Sequence, residues 1–251
     1  MSEFYIGYLP KAPAGIARRV RVVVLGLFIL AAAGATLFAV AQRTISPAVF
    51  EFGQERSFEG ILRMTPYPAL RVARPGEVPE ASRYSYYLLV APGKHGAEAA
   101  VTQFADKSVG LRGTLIFRDD QTMIEVVPGS IRILASGTGS AAPRQDLGTF
   151  TLSGEIVDSK CNFGVMNPGR SKVHKDCAVR CLSGGIPPAF VTDNWEGHPA
   201  TLLLTGPGQT PLAKAAFLGR VGQLLQVRGS ILKDGDELFF EVEPAGISAQ
   251  P

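Results

Sequence analysis

From Val22 to Ala41 the chain runs for 20 residues without one charged side chain. At about 1.5 Å per residue, a helix of that length spans about 30 Å, the thickness of a bilayer's hydrocarbon core. A helix in a soluble domain keeps a polar face, and this stretch has none. It is read as a transmembrane helix over residues 22–41. Arg18, Arg19 and Arg21 crowd its N-terminal edge, and only Arg43 lies close to the other. By the positive-inside rule the leader, 1–21, stays in the cytoplasm and the body is exported. The expected location is a single-pass protein of the inner (cell) membrane with a periplasmic, extracytoplasmic body. The competing reading is a cleaved signal peptide, since Ala39-Val40-Ala41 resembles a small-x-small cleavage site. The run exceeds a usual signal core, and Phe4, Tyr5 and Tyr8 suit an interfacial belt. Arg18-Arg19 echoes a twin-arginine signal, but the residues after it do not match.

The anchor also explains the charge. The whole chain of 251 residues carries a net +3. Residues 1–43 hold five basic side chains against Glu3, and residues 44–251 hold 20 basic against 21 acidic. Nucleic-acid binding by a small barrel needs a basic groove with stacking aromatics. An exported body of near-zero balance excludes that partner. A content of 28 Gly and 18 Pro favours short strands and many turns over long helices.

Four blocks recur in the same order along the exported body. Leu88-Leu89-Val90-Ala91-Pro92-Gly93 parallels Leu203-Leu204-Thr205-Gly206-Pro207-Gly208, and Arg112-Gly113-Thr114-Leu115 parallels Arg228-Gly229-Ser230-Ile231. Glu125-Val126-Val127-Pro128 parallels Glu241-Val242-Glu243-Pro244, and Ser57-Phe58-Glu59-Gly60 parallels Thr151-Leu152-Ser153-Gly154. Strands are expected at 86–90, 109–117 and 123–127, then at 151–157, 200–205, 224–232 and 238–242. Short helices are expected at 97–104 and 212–218, and hairpin turns at 118–121 and 233–236. Strand, strand, small helix and hairpin within about 90 residues is the pattern of an OB-type barrel. The fold class is therefore mainly β: an N-terminal transmembrane helix, then two tandem OB-like barrels, the second with a short helical Cys/His insertion. The first domain is placed at 42–134, a flexible linker at 135–148 and the second domain at 149–251. One β-sandwich built from both halves is the alternative.

The second unit is longer than the first by roughly 20 residues between its first two strands, and the gain falls within 158–188. All three cysteines and one of three histidines lie there. Pro168-Gly169 should turn the chain, and Gly184-Gly185 before Pro187-Pro188 should stop a helix over 173–182. His174, Cys177 and Cys181 then share a helix face, and Cys161 can close over it. Cys161, His174, Cys177 and Cys181 are the candidate metal ligands, a Cys3His set suited to Zn or Cu. Lys160, Arg170, Lys172, Lys175 and Arg180 are expected to favour thiolates. Two other readings stand beside it. Cys161 can form a disulfide with Cys177 or Cys181, leaving one thiol free. A redox thiol pair, or ligation of haem or a cluster, is the third, without the C-x-x-C-H signature of attached haem. His95 and His198 read as surface residues, and Asp119-Asp120 and Asp234-x-Asp236 as turns.

The segments Gly154-Glu-Ile-Val-Asp-Ser-Lys-Cys161, His174-x2-Cys177-x3-Cys181 and Gly184-Gly-Ile-Pro-Pro188 resemble a run found in uncharacterised single-pass bacterial membrane proteins. The likeness extends to the leader, Phe4–Pro10. It implies a family and no named activity. In architecture alone the chain also looks like membrane-anchored OB barrels that handle haem in cytochrome maturation, but their His-x3-Tyr motif is absent. No nucleophile elbow, phosphate loop, zincin or dinucleotide motif occurs. The expected function is a metal-binding or electron-transfer accessory of a larger membrane complex, without catalytic residues of its own. The alternative is a non-enzymatic interaction or assembly subunit with a disulfide-stapled insertion.

Overall fold

The computed structural model describes residues 11–42, 47–76, 84–135 and 144–250. They divide into two units, with the boundary between Ser46 and Pro47. The first is the helix α1 (Ala14–Gln42), which contains the whole uncharged run. Its apolar side chains, such as Phe28 and Phe38, point outward and are largely exposed. With a mean hydropathy of 2.5 in its most apolar window, α1 is long and apolar enough to cross a membrane; an N-terminal signal sequence meets the same test. The leader before Lys11 and the residues 43–46 lie outside the described residues.

The second unit is built of strands. Its first half contains β1 (Ala48–Phe50), β2 (Arg56–Arg63), β3 (Ala69–Ala73), β4 (Tyr84–Ala91), β5 (His95–Gly96), β6 (Ser108–Arg118), β7 (Gln121–Val126) and β8 (Arg132–Ala135). The helix α2 (Glu98–Val101) and one 3-10 turn precede β6. The second half contains β9 (Gln145–Asp158), β10 (Pro188–Trp195), β11 (His198–Gly206), β12 (Thr210–Pro211), β13 (Leu225–Asp234) and β14 (Glu237–Ala249). In it β9 pairs β13, β13 pairs β14, β14 runs parallel to β11, and β11 returns through β10 to β9. This circuit is a closed five-stranded barrel. In the first half β2 pairs β6, β6 pairs β7, β7 runs parallel to β4, and β4 returns through β3 to β2.

The recurring sequence blocks occupy equivalent register positions. The parallel pair of the first half sets Leu88 against Met123 and Val90 against Glu125. That of the second sets Leu203 against Phe239 and Thr205 against Glu241. Close packing accounts for a glycine shared by both blocks: a Cβ at Gly113 would strike Ile124, and one at Gly229 would strike the Glu241 carbonyl.

The short helices and both hairpin turns lie where the sequence predicts them. Asp119 and Gly235 adopt the left-handed backbone that such tight turns require. Strands β1, β3 and β8 escape the pattern because they are short, and β10, which pairs with both β9 and β11, is missed without that reason. The proposed linker also ends early: Gln145–Gly148 already belong to β9, which pairs along its length with β13, and residues 136–143 lie outside the described residues.

Residues 47–251 form one compact unit, because the halves share a core. Tyr67, Tyr86, Leu88 and Ile116 from the first half meet Phe163, Leu203 and Phe239 from the second. The Tyr86 and Phe239 rings pack edge to face at 5.6 Å. Tyr67 Oη donates to the Leu204 carbonyl at 2.6 Å, and buried Arg71 pairs with buried Asp234 at 2.8 Å.

Candidate metal centre

The inserted segment leaves the barrel at the end of β9 and rejoins it at β10. Residues 158–163 are all buried. Asp158, wholly buried, caps the turn that follows: its Oδ1 accepts the Cys161 amide at 2.8 Å. Cys161 opens one wide helical turn, Cys161–Val165. Arg118 at the end of β6 holds that turn by donating to the Asn162 carbonyl at 2.6 Å. Gly169 turns the chain with a positive φ of 68°, its backbone against the Cys161 carbonyl.

A 3-10 turn, Lys172–His174, then leads into α3 (Lys175–Ser183). The helix begins two residues later than the sequence predicts, so His174 caps it and does not sit on its face. Its side chain is buried and placed with Nε2 3.1 Å from Asp158 Oδ2. Gly184 and Gly185 end the helix as expected, with Gly185 at a φ of 97°.

The Sγ atoms of Cys161, Cys177 and Cys181 lie within 4.8 Å of one another, and all three are free thiols. A second set of the same tightness consists of Asp158, Cys161 and His174. Both sets are compatible with a metal ion. The four predicted ligands thus fall into two overlapping groups that share Cys161, with His174 turned to Asp158 and not gathered with all three sulfurs. Cys161 and Cys181 are buried, and Cys177 is partly open.

The cation at the sulfurs comes from the first half. Lys94, in the turn between β4 and β5, places Nζ 2.7 Å from Cys177 Sγ and 3.7 Å from Cys181 Sγ. The contact with Cys177 raises the Lys94 pKa. A hydrogen bond between Cys161 and Cys181 pushes the Cys161 thiol up, with burial adding to the effect. The same bond, helped by the Lys94 charge, draws Cys181 down to about 7 against the cost of burial. Of the two, Cys181 is the thiol that gives up its proton more readily.

Sequence reasoning assigns that electrostatic role to the insertion's own basic residues, and the structure gives two of them, Lys160 and Arg170, other partners. Lys160 is buried and turned away: Nζ donates to the carbonyls of Ala91 at 2.9 Å and Gly93 at 2.7 Å and pairs with Glu125. It holds the turn that carries Lys94. Arg170 faces Asp193 at 3.6 Å and Glu155 at 4.0 Å. The loop is also fastened from below, where the Gly96 amide donates to the Gly184 carbonyl at 3.0 Å. His95 and His198 are exposed, as expected.

Lys94 and Asp158 are the two members that the motif omits. The spacing D-x-x-C is a local capping signal that could have found Asp158. Nothing local marks Lys94, which lies 83 residues from Cys177.

Comparison of the chain with protein-family models, curated proteins and solved structures finds no match. The chemistry of the centre therefore rests on its geometry. Three sulfurs from two separate segments form a soft donor set. Metal binding by these thiols releases the protons they carry.

Proposed function

We propose that this protein is a membrane-anchored, extracytoplasmic metal-binding accessory, with Cys161, Cys177 and Cys181 as its thiolate ligands. The convergence of the three sulfurs within 4.8 Å carries this reading. His174 is the fourth ligand, moved toward the sulfurs while Asp158 keeps hold of one ring nitrogen, and it completes a tetrahedral Zn²⁺ site. Three thiolates without it suit Cu(I). Lys94 offsets the negative charge that three thiolates leave on either ion.

The frame of the proposal is a duplicated OB-like unit. Matching pairing circuits in the two halves, and the matching register of the repeated blocks, support it. On this reading the second unit differs from the first by the metal-binding insertion. The basic collar before α1 supports a cytoplasmic N-terminus and an exported body. A carrier or electron-transfer role within a larger membrane complex fits a chain without a catalytic motif, and the near-neutral body speaks against nucleic acid as partner.

The test is anaerobic purification of the full chain in detergent, followed by metal analysis and thiol titration. One Zn or Cu per chain, lost in Cys177→Ser, supports the proposal. A metal-free chain with a single titratable thiol overturns it. That outcome favours the second reading, an assembly subunit whose insertion is stapled by Cys161 and Cys181, the two buried thiols already hydrogen-bonded to each other.

A further inference from the structure

Lys94 Nζ and Cys177 Sγ are 2.7 Å apart. Sulfur is a larger acceptor than oxygen, and N–H···O bonds centre on about 2.9–3.0 Å. A nitrogen 2.7 Å from sulfur is closer than an ordinary hydrogen bond would hold it. The separation suits two single bonds meeting at one bridging atom.

Both groups are held from either side of the contact. Cys177 is fixed on α3. The Lys94 turn is pinned by Lys160 through the carbonyls of Ala91 and Gly93, and by the Gly96 amide on Gly184. A Cβ at Gly184 would collide with the Lys94 carbonyl, so the turn lies directly on the helix end. Preorganisation of this kind turns an encounter between two side chains into a local event of high effective concentration. Cys177 is also the one thiol of the three that is not buried, which gives an oxidant access to it and not to Cys161 or Cys181.

We propose that Lys94 and Cys177 form an oxidative modification site, closing to a covalent Nζ–O–Sγ bridge in the presence of dioxygen. Thiol, ammonium and one dioxygen molecule give the bridge, one water and one released proton. The O–O bond, the S–H bond and two N–H bonds break, one S–O and one N–O bond form, two of the hydrogens leave in the water and the third leaves as the proton. Sulfur and nitrogen each give up two electrons, and the dioxygen takes all four. Two equivalents of a dithiol reverse the step, restoring thiol and amine and releasing the bridging oxygen as water. In the bridged state Cys177 has no lone thiolate to offer, so the modification caps the metal site reversibly. The bridge uses a residue of that site but does not depend on metal binding.

The full chain, stripped of metal by a chelator, is exposed to air and digested without reductant for mass spectrometry. A linked pair of peptides containing Lys94 and Cys177 is expected. Its mass should exceed the sum of the two by one oxygen and fall short of that by two hydrogens, and dithiothreitol should abolish it. Lys94→Arg, checked for folding by circular dichroism, should lose the linked species, and Cys177→Ser should lose it as well. If only sulfenic acid or disulfide forms at Cys177 in the folded wild-type chain, the proposal is overturned. A chain that forms the bridge yet never binds metal overturns the metal reading and leaves this one standing.

Discussion

Asp158 faces His174 across 3.1 Å with one carboxylate oxygen and takes the Cys161 amide with the other. One buried carboxylate thereby fixes the position of a thiol and the orientation of an imidazole. Groups that orient ligands in this way are worth roughly 10–100-fold in metal affinity.

Asp158→Asn should therefore weaken metal binding by about that factor. It should also destabilise the fold by about 1–3 kcal/mol, the range for a disturbed buried hydrogen-bond partner. Competition with a chromogenic chelator and thermal unfolding read the two effects separately. His174→Ala divides the ligand sets: loss of bound metal identifies the ring as a ligand, and retention leaves the three sulfurs sufficient.

Metal loading should stabilise the body. For a ligand that binds the folded state alone, free metal at 100 times its Kd contributes about 2.7 kcal/mol. The melting temperature should fall on addition of a chelator, and Cys177→Ser should remove most of the difference. Equal melting curves with and without chelator in the wild type would count against a metal site.

The Arg71–Asp234 pair joins the two halves in the protein interior, with side-chain exposures of 6% and 8%. Asp234→Ala leaves a buried guanidinium without its main partner and should cost about 3–5 kcal/mol. Replacing both residues by apolar ones of similar volume should recover much of that loss. Urea denaturation of the single and double variants tests the difference.

Glu237 is buried with one carboxylate oxygen, Oε1, lacking a hydrogen-bond partner. Burial above all, and then the charges of Asp236 and Asp120, hold its pKa well above the ordinary glutamate value. The folded chain keeps this proton at pH values where the unfolded chain has released it. The group's contribution is full below the ordinary glutamate range and declines as pH rises above it, by at most about 1.4 kcal/mol per pH unit. Glu237→Gln should flatten that decline and raise the melting temperature at neutral pH. An unchanged slope of stability against pH would refute this.

Gly184→Ala places a methyl against the Lys94 carbonyl. Forcing the turn off the helix end should cost about 1–3 kcal/mol and move the ammonium away from the sulfurs. The Cys177 thiol should then alkylate at a different rate, followed with iodoacetamide.

The apolar run, the strands of the repeated blocks and the cysteine-bearing insertion were legible from sequence because each leaves a local signature. Leu88–Val90 and Leu203–Thr205 announce themselves by composition and by resemblance to each other. Cys161, Cys177 and Cys181 are legible because a single insertion between β9 and β10 carries both the turn and the helix that hold them. Lys94 could not be found this way, since its place at the sulfurs depends on how the two halves pack. His174 shows the opposite failure. Its spacing matches the helix face, but the buried carboxylate of Asp158 holds the ring. Charge near cysteines in sequence was a poor guide as well, because Lys160 and Arg170 have acidic or carbonyl partners of their own.

The sulfur cluster takes its thiols from one half of the body and its ammonium from the other. Any change of charge at those sulfurs, by metal, oxidant or proton, alters the attraction across that seam. A chemical event at three atoms thereby becomes a change in how tightly the two halves are clamped.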